Sequence, residues 1–337
     1  MCGYEYINFF GIRMHILVTG AAGFLGSHLC DALLSQGHSV VGVDNLLTGN
    51  YRNIEKIHNH ARTINASFRF IKADVCDATI AKQLKDTEKF DQVYFLACPA
   101  SPIDYVKYPL ETLYIGSFGC RNYLELALAH NARFLLTSTS EVYGDPLVHP
   151  QPEEYWGNVN PIGPRSVYDE SKRYAESLTM AFHKTCGLEI RIARIFNTFG
   201  PRMRHDDGRV VPTFIMQALQ HQPLSIFGDG SQTRSFCFYS DLIRGLLCLM
   251  DSDKTGPYNL GNPHELNMLE LAENINDIIG NPAGIIHNPL PKDDPTRRRP
   301  DLTNTKRDLG WEPEISFADG LAETVQFFVD AIANKEI

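Results

Sequence analysis

Tyr168 and Lys172 stand four positions apart at the start of a helix-like run. Positions i and i+4 share one helix face, so a phenol and an ammonium can point into one pocket. A phenol ionises near pH ~10 and is a poor base at neutrality. A neighbouring ammonium favours the phenolate and lowers that value. Such a tyrosine can take a proton from a substrate hydroxyl while a cofactor takes a hydride. The chain holds 14 tyrosines, so one such pair is expected by chance about as often as not. It gains meaning from the hydroxyl cluster and carboxylate that precede it: Thr137, Ser138, Thr139, Ser140 and Glu141.

A second constellation lies near the N-terminus. His15–Thr19 is a short apolar, β-branched run, which predicts a buried strand. Gly20, Gly23 and Gly26 follow, with Phe24 and Leu25 inside the turn, and helical spacing then continues to Gly37. A strand, a glycine-rich turn and a helix start together form a phosphate cradle, because the backbone can approach closely and the helix end offers free N–H groups. The spacing is GxxGxxG, wider than the common GxGxxG. Residues 38–44 read as a second strand ending in Asp44, with Asn45 beside it. A carboxylate there accepts bonds from an adenosine ribose and repels a 2′-phosphate, which favours NAD over NADP.

These residues need elements to position them. Residues 68–74 read as a third strand ending at Asp74 and Val75. Residues 91–97 read as a fourth, carrying Leu96 and leading to Cys98. A helix is expected over 110–130, a fifth strand over 132–137, a helix over 166–185 and a sixth strand over 188–195. Strands alternating with helices predict an α/β fold with a doubly wound parallel, Rossmann-type sheet. Ligands in such sheets sit at the carboxyl ends of the strands, where Asp44, Asp74, Cys98 and Ser140 all fall.

The pattern changes after residue 195, with more turns, a helix near 239–250 and a last helix from Phe317. The expected division is an extension at 1–13, a dinucleotide domain at 14–195 plus about 236–256, and a smaller interleaved substrate domain at 196–235 plus about 257–337. Every Lys or Arg between Arg191 and Asp253 is an arginine: 191, 194, 202, 204, 209, 234 and 244. Arginine grips phosphate or carboxylate with paired hydrogen bonds, so the cluster points to a small anionic ligand; surface ion pairs are the plain alternative.

Composition sets the limits. The chain has 337 residues and a net charge of −9, which argues against a general nucleic-acid binder. No apolar run approaches the roughly 20 residues of a membrane span, and residues 1–13 lack the pattern of a secretion signal. The eight cysteines form no Cys-x-x-Cys pair and the 12 histidines show no metal spacing, so no metal site is expected. Reduced thiols in a cytoplasmic protein are the simplest account.

Longer motifs extend from about residue 14 to the C-terminus. They include CPASP at 98–102, TSEVYGDP at 139–146, YWGNVNPIGPR at 155–165, YDESKR at 168–173, RIFNTFGPRM at 194–203, DGRVV at 207–211, GDGSQTRSF at 228–236 and LGWEP at 309–313. In these motifs the chain resembles the extended short-chain dehydrogenase/reductases that act on nucleotide sugars, and within them most closely the UDP-glucuronic acid decarboxylases. The resemblance implies NAD held by the glycine turn, Asp44, Asn45, Asp74, Val75, Leu96, Cys98, Thr198, Tyr168 and Lys172. It implies a UDP-sugar bound by Asn197, Arg209, Val210, Arg234 and Arg298. It places Tyr168, Lys172, Thr139, Ser140, Glu141 and Arg298 in the chemistry, and implies a homodimer through helices near 110–130 and 166–185.

Related 4,6-dehydratases usually carry Asp where Ser140 stands, and C4-epimerases generally lack the Glu. A sibling epimerase or dehydratase, or a non-catalytic NAD-binding protein, are the alternatives. One departure stands out. Many members carry a Lys-Thr-Asn-like run where this chain reads Tyr114-Ile115-Gly116; the resemblance implies that such a Lys touches the sugar acid.

Overall fold

A computed structural model describes residues 13–289 and 297–337. Residues 1–12, nearly all of the expected extension, lie outside the described residues.

A seven-stranded parallel sheet organises the chain. Its strands are β1 (His15–Thr19), β2 (Ser39–Asp44), β3 (Phe68–Lys72), β4 (Gln92–Phe95), β5 (Arg133–Thr139), β6 (Ile190–Ile195) and β7 (Tyr258–Leu260), in the order β7-β6-β5-β4-β1-β2-β3. Ile16, Leu17, Val18, Val40, Val41, Val43, Val93 and Phe134 are almost wholly buried, as expected of strands covered on both faces. The order reverses beside β1, so the ends of β1, β2 and β4 open a crevice where such folds take ligands. The six expected strands are present; β7 was not foreseen, because three residues are too few to show a period.

Helices α1 (Phe24–Ser35), α2 (Tyr51–Thr63) and α3 (Ala78–Thr87) alternate with β1 to β4. The single helix expected over 110–130 is instead three pieces: Pro109–Tyr114, a π-helical segment Ile115–Gly119, and α4 (Cys120–His130). Helix α5 (Ser166–Cys186) carries Tyr168 and Lys172. A Cβ at Gly116 would lie 2.6 Å from the Ser171 carbonyl oxygen on α5. Gly116 in the unusual Tyr114-Ile115-Gly116 run is therefore set by packing: the widened turn brings backbone against α5, and only glycine fits there.

The chain divides into two compact units. The first runs to Cys98 and adds Phe118–Leu136 and Leu178–Ile190; the second comprises Pro99–Ser117, Thr137–Ser177 and Arg191 onward. In the second, Arg297–Arg298 forms a two-residue strand paired with Thr233–Ser235, which in turn pairs with Glu265–Asn267. That pairing seats Arg298, which is only 2% exposed. Pro295 lies outside the described residues.

Candidate active site

In the first unit the glycine turn has a defined build. Gly20 takes a φ of 73°, and its N–H donates to Val43 O at 2.8 Å. A Cβ at Gly20 would meet Ala97 N at 2.9 Å, and one at Gly26 would lie 2.0 Å from Gly20 O. Both positions exclude a side chain, leaving a backbone-lined cradle. Gly23 is the N-cap of α1 and gives it no side-chain cap, so the first N–H groups at Phe24, Leu25 and Gly26 suit an anion.

Asp44 closes the cradle. Its carboxylate accepts from Ala22 N at 3.0 Å and Leu46 N at 2.8 Å. Burial pushes its carboxyl above the usual range, against the lowering pull of those two bonds. Asn45 Nδ2 donates to Asp74 Oδ2 at 3.1 Å, and Asn122 Nδ2 donates to Val75 O at 3.0 Å. Leu96 N donates to Thr19 Oγ1 at 3.1 Å, and Cys98 is half-buried. The uncapped helix end and the Cβ-excluding turn fit a dinucleotide pyrophosphate, and the adjacent carboxylate fits a ribose.

The second unit holds the Tyr–Lys pair. Tyr168 is 7% exposed and stacks on Tyr105, with ring centroids 5.1 Å apart and planes at 9°. Lys172 Nζ donates to Thr137 O at 2.8 Å and lies 6.0 Å from the Tyr168 ring centroid. Thr139 Oγ1 accepts from Glu141 N at 3.2 Å, at the point where β5 passes into the 3₁₀ turn Ser140–Tyr143. Glu141 Oε1 accepts from Arg298 Nη1, and Glu141 Oε2 accepts from Arg165 Nη2 at 2.8 Å. Arg298 Nη2 also donates to Gly144 O at 2.8 Å. Burial alone would raise the Glu141 carboxyl, but the charges of Arg298 and Arg165 outweigh it and hold it at about 2. Glu141 thus stays ionised and fixed. Glu141, Gly144, Asn158, Arg165 and Asp169 line a cavity of about 260 Å³.

Arg165 and Asp169 are among the cavity residues that sequence reasoning missed. They stand inside the motifs YWGNVNPIGPR and YDESKR, but no spacing rule singles them out. Only the fold brings the end of β5, the loop before α5 and the Arg297–Arg298 strand to one carboxylate.

For part of the arginine set of 191–244 the structure gives the plain alternative, ion pairs within the chain. Arg194 forks onto Glu176 at 2.9 and 2.8 Å, and also donates to Tyr143 Oη at 3.1 Å. Arg204 pairs with Asp104 at 3.1 Å, Arg209 with Asp207 at 2.7 Å and Arg244 with Asp241 at 2.9 Å. Four of the seven therefore have their own carboxylate, so the cluster is not a single anion-binding group. Arg194 is scaffold: its partner Glu176 also accepts from Ser138 Oγ at 2.5 Å, which ties down the end of β5.

Of the substrate-binding expectations, Arg209 caps and Val210 opens the helix Val210–Leu219, Asn197 O accepts from Cys237 N at 2.9 Å, and Arg234 Nη1 donates to Thr233 O at 2.9 Å. Thr198 Oγ1 donates to Phe196 O at 2.9 Å. Among the described residues no group of three or more His, Cys, Asp or Glu could hold a metal ion.

A glycine turn after the first parallel strand, an acid ending the second and a buried Tyr-x-x-x-Lys pair define the short-chain dehydrogenase class of Rossmann proteins. The chain belongs to the extended family described as GDP-mannose 4,6 dehydratase, whose family model matches residues 17–324. It is 50% identical over 324 residues to UDP-glucuronic acid decarboxylase 1 of Arabidopsis thaliana, covering 96% of this chain and 72% of that one. It is also 50% identical over 316 residues to UDP-glucuronic acid decarboxylase 1 of Danio rerio, covering 94% and 73%.

Among solved structures, UDP-glucose 4-epimerase of Thermotoga maritima with UDP-glucose is 28% identical with a TM-score of 0.87, covering 95% of this chain and all of that one (100%). A mutant UDP-glucuronic acid 4-epimerase of Bacillus cereus, in complex with UDP-4-deoxy-4-fluoro-glucuronic acid and NAD, is 30% identical with a TM-score of 0.83, covering 94% and 99%.

Proposed function

We propose that this protein converts UDP-glucuronate to UDP-xylose and CO2 through a 4-keto sugar, as an NAD-dependent carboxy-lyase. The carrying observation is half identity across nearly the whole chain to decarboxylases of a plant and a vertebrate, with the Tyr168, Lys172, Thr139, Ser140 and Glu141 set intact and buried or nearly so. NAD, when bound, supplies a hydride acceptor for C4 of the sugar and later returns the hydride, so no oxidant is consumed.

The chain's residues do the remainder. Gly20, Gly23, Phe24, Leu25 and Gly26 hold the pyrophosphate; Asp44 and Asn45 hold the ribose. Asp74, Val75, Leu96, Cys98 and Thr198 line the rest of the cofactor site. Tyr168 takes the proton of the C4 hydroxyl, with Thr139 sharing that hydrogen bond, and Lys172 holds the nicotinamide ribose. A C5 carboxylate is then β to a carbonyl, and its loss as CO2 leaves a stabilised enolate. The enolate then takes up a proton from solvent at C5, where Ser140 and Glu141 act in proton handling, and Tyr168 gives its proton back to the C4 oxygen as that carbon is reduced again. Arg298 orients the diphosphate and the sugar acid, and Asn197, Arg209, Val210 and Arg234 bind the UDP portion. In this reading residues 14–195 with about 236–256 serve the cofactor, and 196–235 with about 257–337 serve the nucleotide sugar.

Epimerisation is the second reading, favoured by the epimerases among the solved structures. The product separates the two. Incubation with UDP-glucuronate should release CO2 and yield a UDP-pentose; a UDP-hexuronate epimer alone would reject decarboxylation.

The proposal extends to a homodimer in the cytoplasm. Leu110, Tyr114 and Tyr174 expose apolar surface on the expected dimer helices, at 58%, 46% and 53%, and none of the seven described cysteines forms a disulfide. Among the described residues no helix is long and apolar enough to cross a membrane. Sedimentation should give a mass near twice 37.9 kDa; a monomer at micromolar concentration would remove the dimer.

A further inference from the structure

We propose that Asp169 is a charge-matching residue of the sugar pocket, taking up one proton as the substrate's carboxylate enters. This rests on the decarboxylase reading above. Asp169 sits one residue past Tyr168 in the first turn of α5 and lines the same cavity as Glu141 and Arg165. It is 6% exposed, and its Oδ1 is buried with no hydrogen-bond partner. A buried carboxylate oxygen with nothing to accept from is costly when ionised and far less so when protonated.

The charges around it come from several elements. Glu141 faces it from the 3₁₀ turn, Arg165 from the loop before α5, and Arg298 from its short strand, while Glu170 is on α5 itself. Asp145 lines the cavity as well but is exposed, so solvent screens its charge and it is left out of the sum over the more buried groups. Arg165 and Arg298 supply two positive charges, and both are already engaged by Glu141. With Asp169 ionised, the two guanidiniums and the two carboxylates sum to zero, and an entering sugar acid is in excess by one. With Asp169 protonated, the same four groups carry one positive charge and match it.

Burial first, then the charge of Glu141, pushes the Asp169 carboxyl up to about 7, against the lowering pull of Arg165 and Arg298. An added carboxylate in the same cavity raises it further. The sign follows. Below pH ~7 Asp169 already holds its proton and binding takes up none. Above pH ~7 binding must draw a proton from solvent, so affinity for the acid falls as pH rises, by up to about tenfold per pH unit. UDP-glucose shares the nucleotide but has no carboxylate, and should show no such slope.

The test titrates UDP-glucuronate and UDP-glucose into the NAD-loaded Tyr168→Phe protein, whose turnover is expected to be slowed by roughly 10²–10⁴-fold, from about pH 6.5 to 9. Calorimetry in two buffers of different ionisation heat counts the protons. The expected result is uptake approaching one proton above pH ~7.5 for UDP-glucuronate, none for UDP-glucose, and a flattened slope when Asp169→Asn is added. A slope unchanged by Asp169→Asn, or bound UDP-glucuronate without proton uptake, overturns the proposal. Should Asp169→Asn fail to fold, the proton count on the Asp169-bearing protein decides alone. If the unsubstituted protein releases no CO2 from UDP-glucuronate, the parent reading fails and this inference falls with it.

Discussion

Tyr168→Phe should cut CO2 release from UDP-glucuronate by roughly 10²–10⁴-fold, the range a positioned general acid–base group contributes. The loss should fall on kcat, with NAD still carried by the purified protein. The substitution removes one oxygen and leaves the ring, so the stack on Tyr105 and the 7% exposure of the site have no reason to change. Lys172 keeps its bond to Thr137 O, which holds α5 to the end of β5 without the phenol. Single-turnover assays with radiolabelled carboxylate, alongside the NAD content of denatured protein, would check both halves. Retained turnover would remove Tyr168 from the mechanism. Lost NAD would show that the phenol matters to the cofactor site rather than to proton transfer alone.

Gly26→Ala should be equally severe by a different route. Its added Cβ would lie 2.0 Å from Gly20 O and 2.8 Å from Gly20 C. Both are backbone atoms of the turn, and Gly20 is itself held by its bond to Val43 O. No side chain can rotate away, so the turn must open or α1 must shift, and a rigid interior transmits that strain. Gly23→Ala is the internal comparison. Its Cβ would meet only Gly20 O, at 3.2 Å, a contact that a shift of a few tenths of an ångström relieves. The expected order is therefore NAD content near that of the parent for Gly23→Ala, and loss of bound NAD with a lowered thermal midpoint for Gly26→Ala. Equal NAD content in both variants would mean that the turn yields more easily than its geometry implies.

The two predictions probe features with different visibility in the sequence. The glycine turn was legible because every part of it is local: strand, turn and helix start are consecutive, and Asp44 ends the next strand. The Tyr168–Lys172 pair was legible for the same reason, since one helix period fixes it. The departure at Tyr114-Ile115-Gly116 was visible as residues but not as geometry. A π-helical turn packed on Ser171 leaves no mark in a hydrophobic period that reads as one helix.

The arginines were less legible. Their composition suggested a shared ligand, but Arg194, Arg204, Arg209 and Arg244 each meet a carboxylate of the chain itself. Asp207 is two residues from Arg209 and Asp241 three from Arg244, which was in principle readable. Glu176 and Asp104 are 18 and 100 residues from Arg194 and Arg204, and only folding brings them near.

What the sequence by itself determined is the alternating α/β order, the cofactor turn with its acid, and the residue types available for hydride-coupled proton transfer. Local periods and turn chemistry encode these directly. Tertiary structure alone decided the setting of Glu141. Arg165 lies 24 residues from it and Arg298 lies 157 residues from it, yet both guanidiniums close on one carboxylate while Asp169 is left with an oxygen unpaired. Ionisation in that cluster is set by burial and by charges converging from separate elements, and no spacing along the chain carries that information.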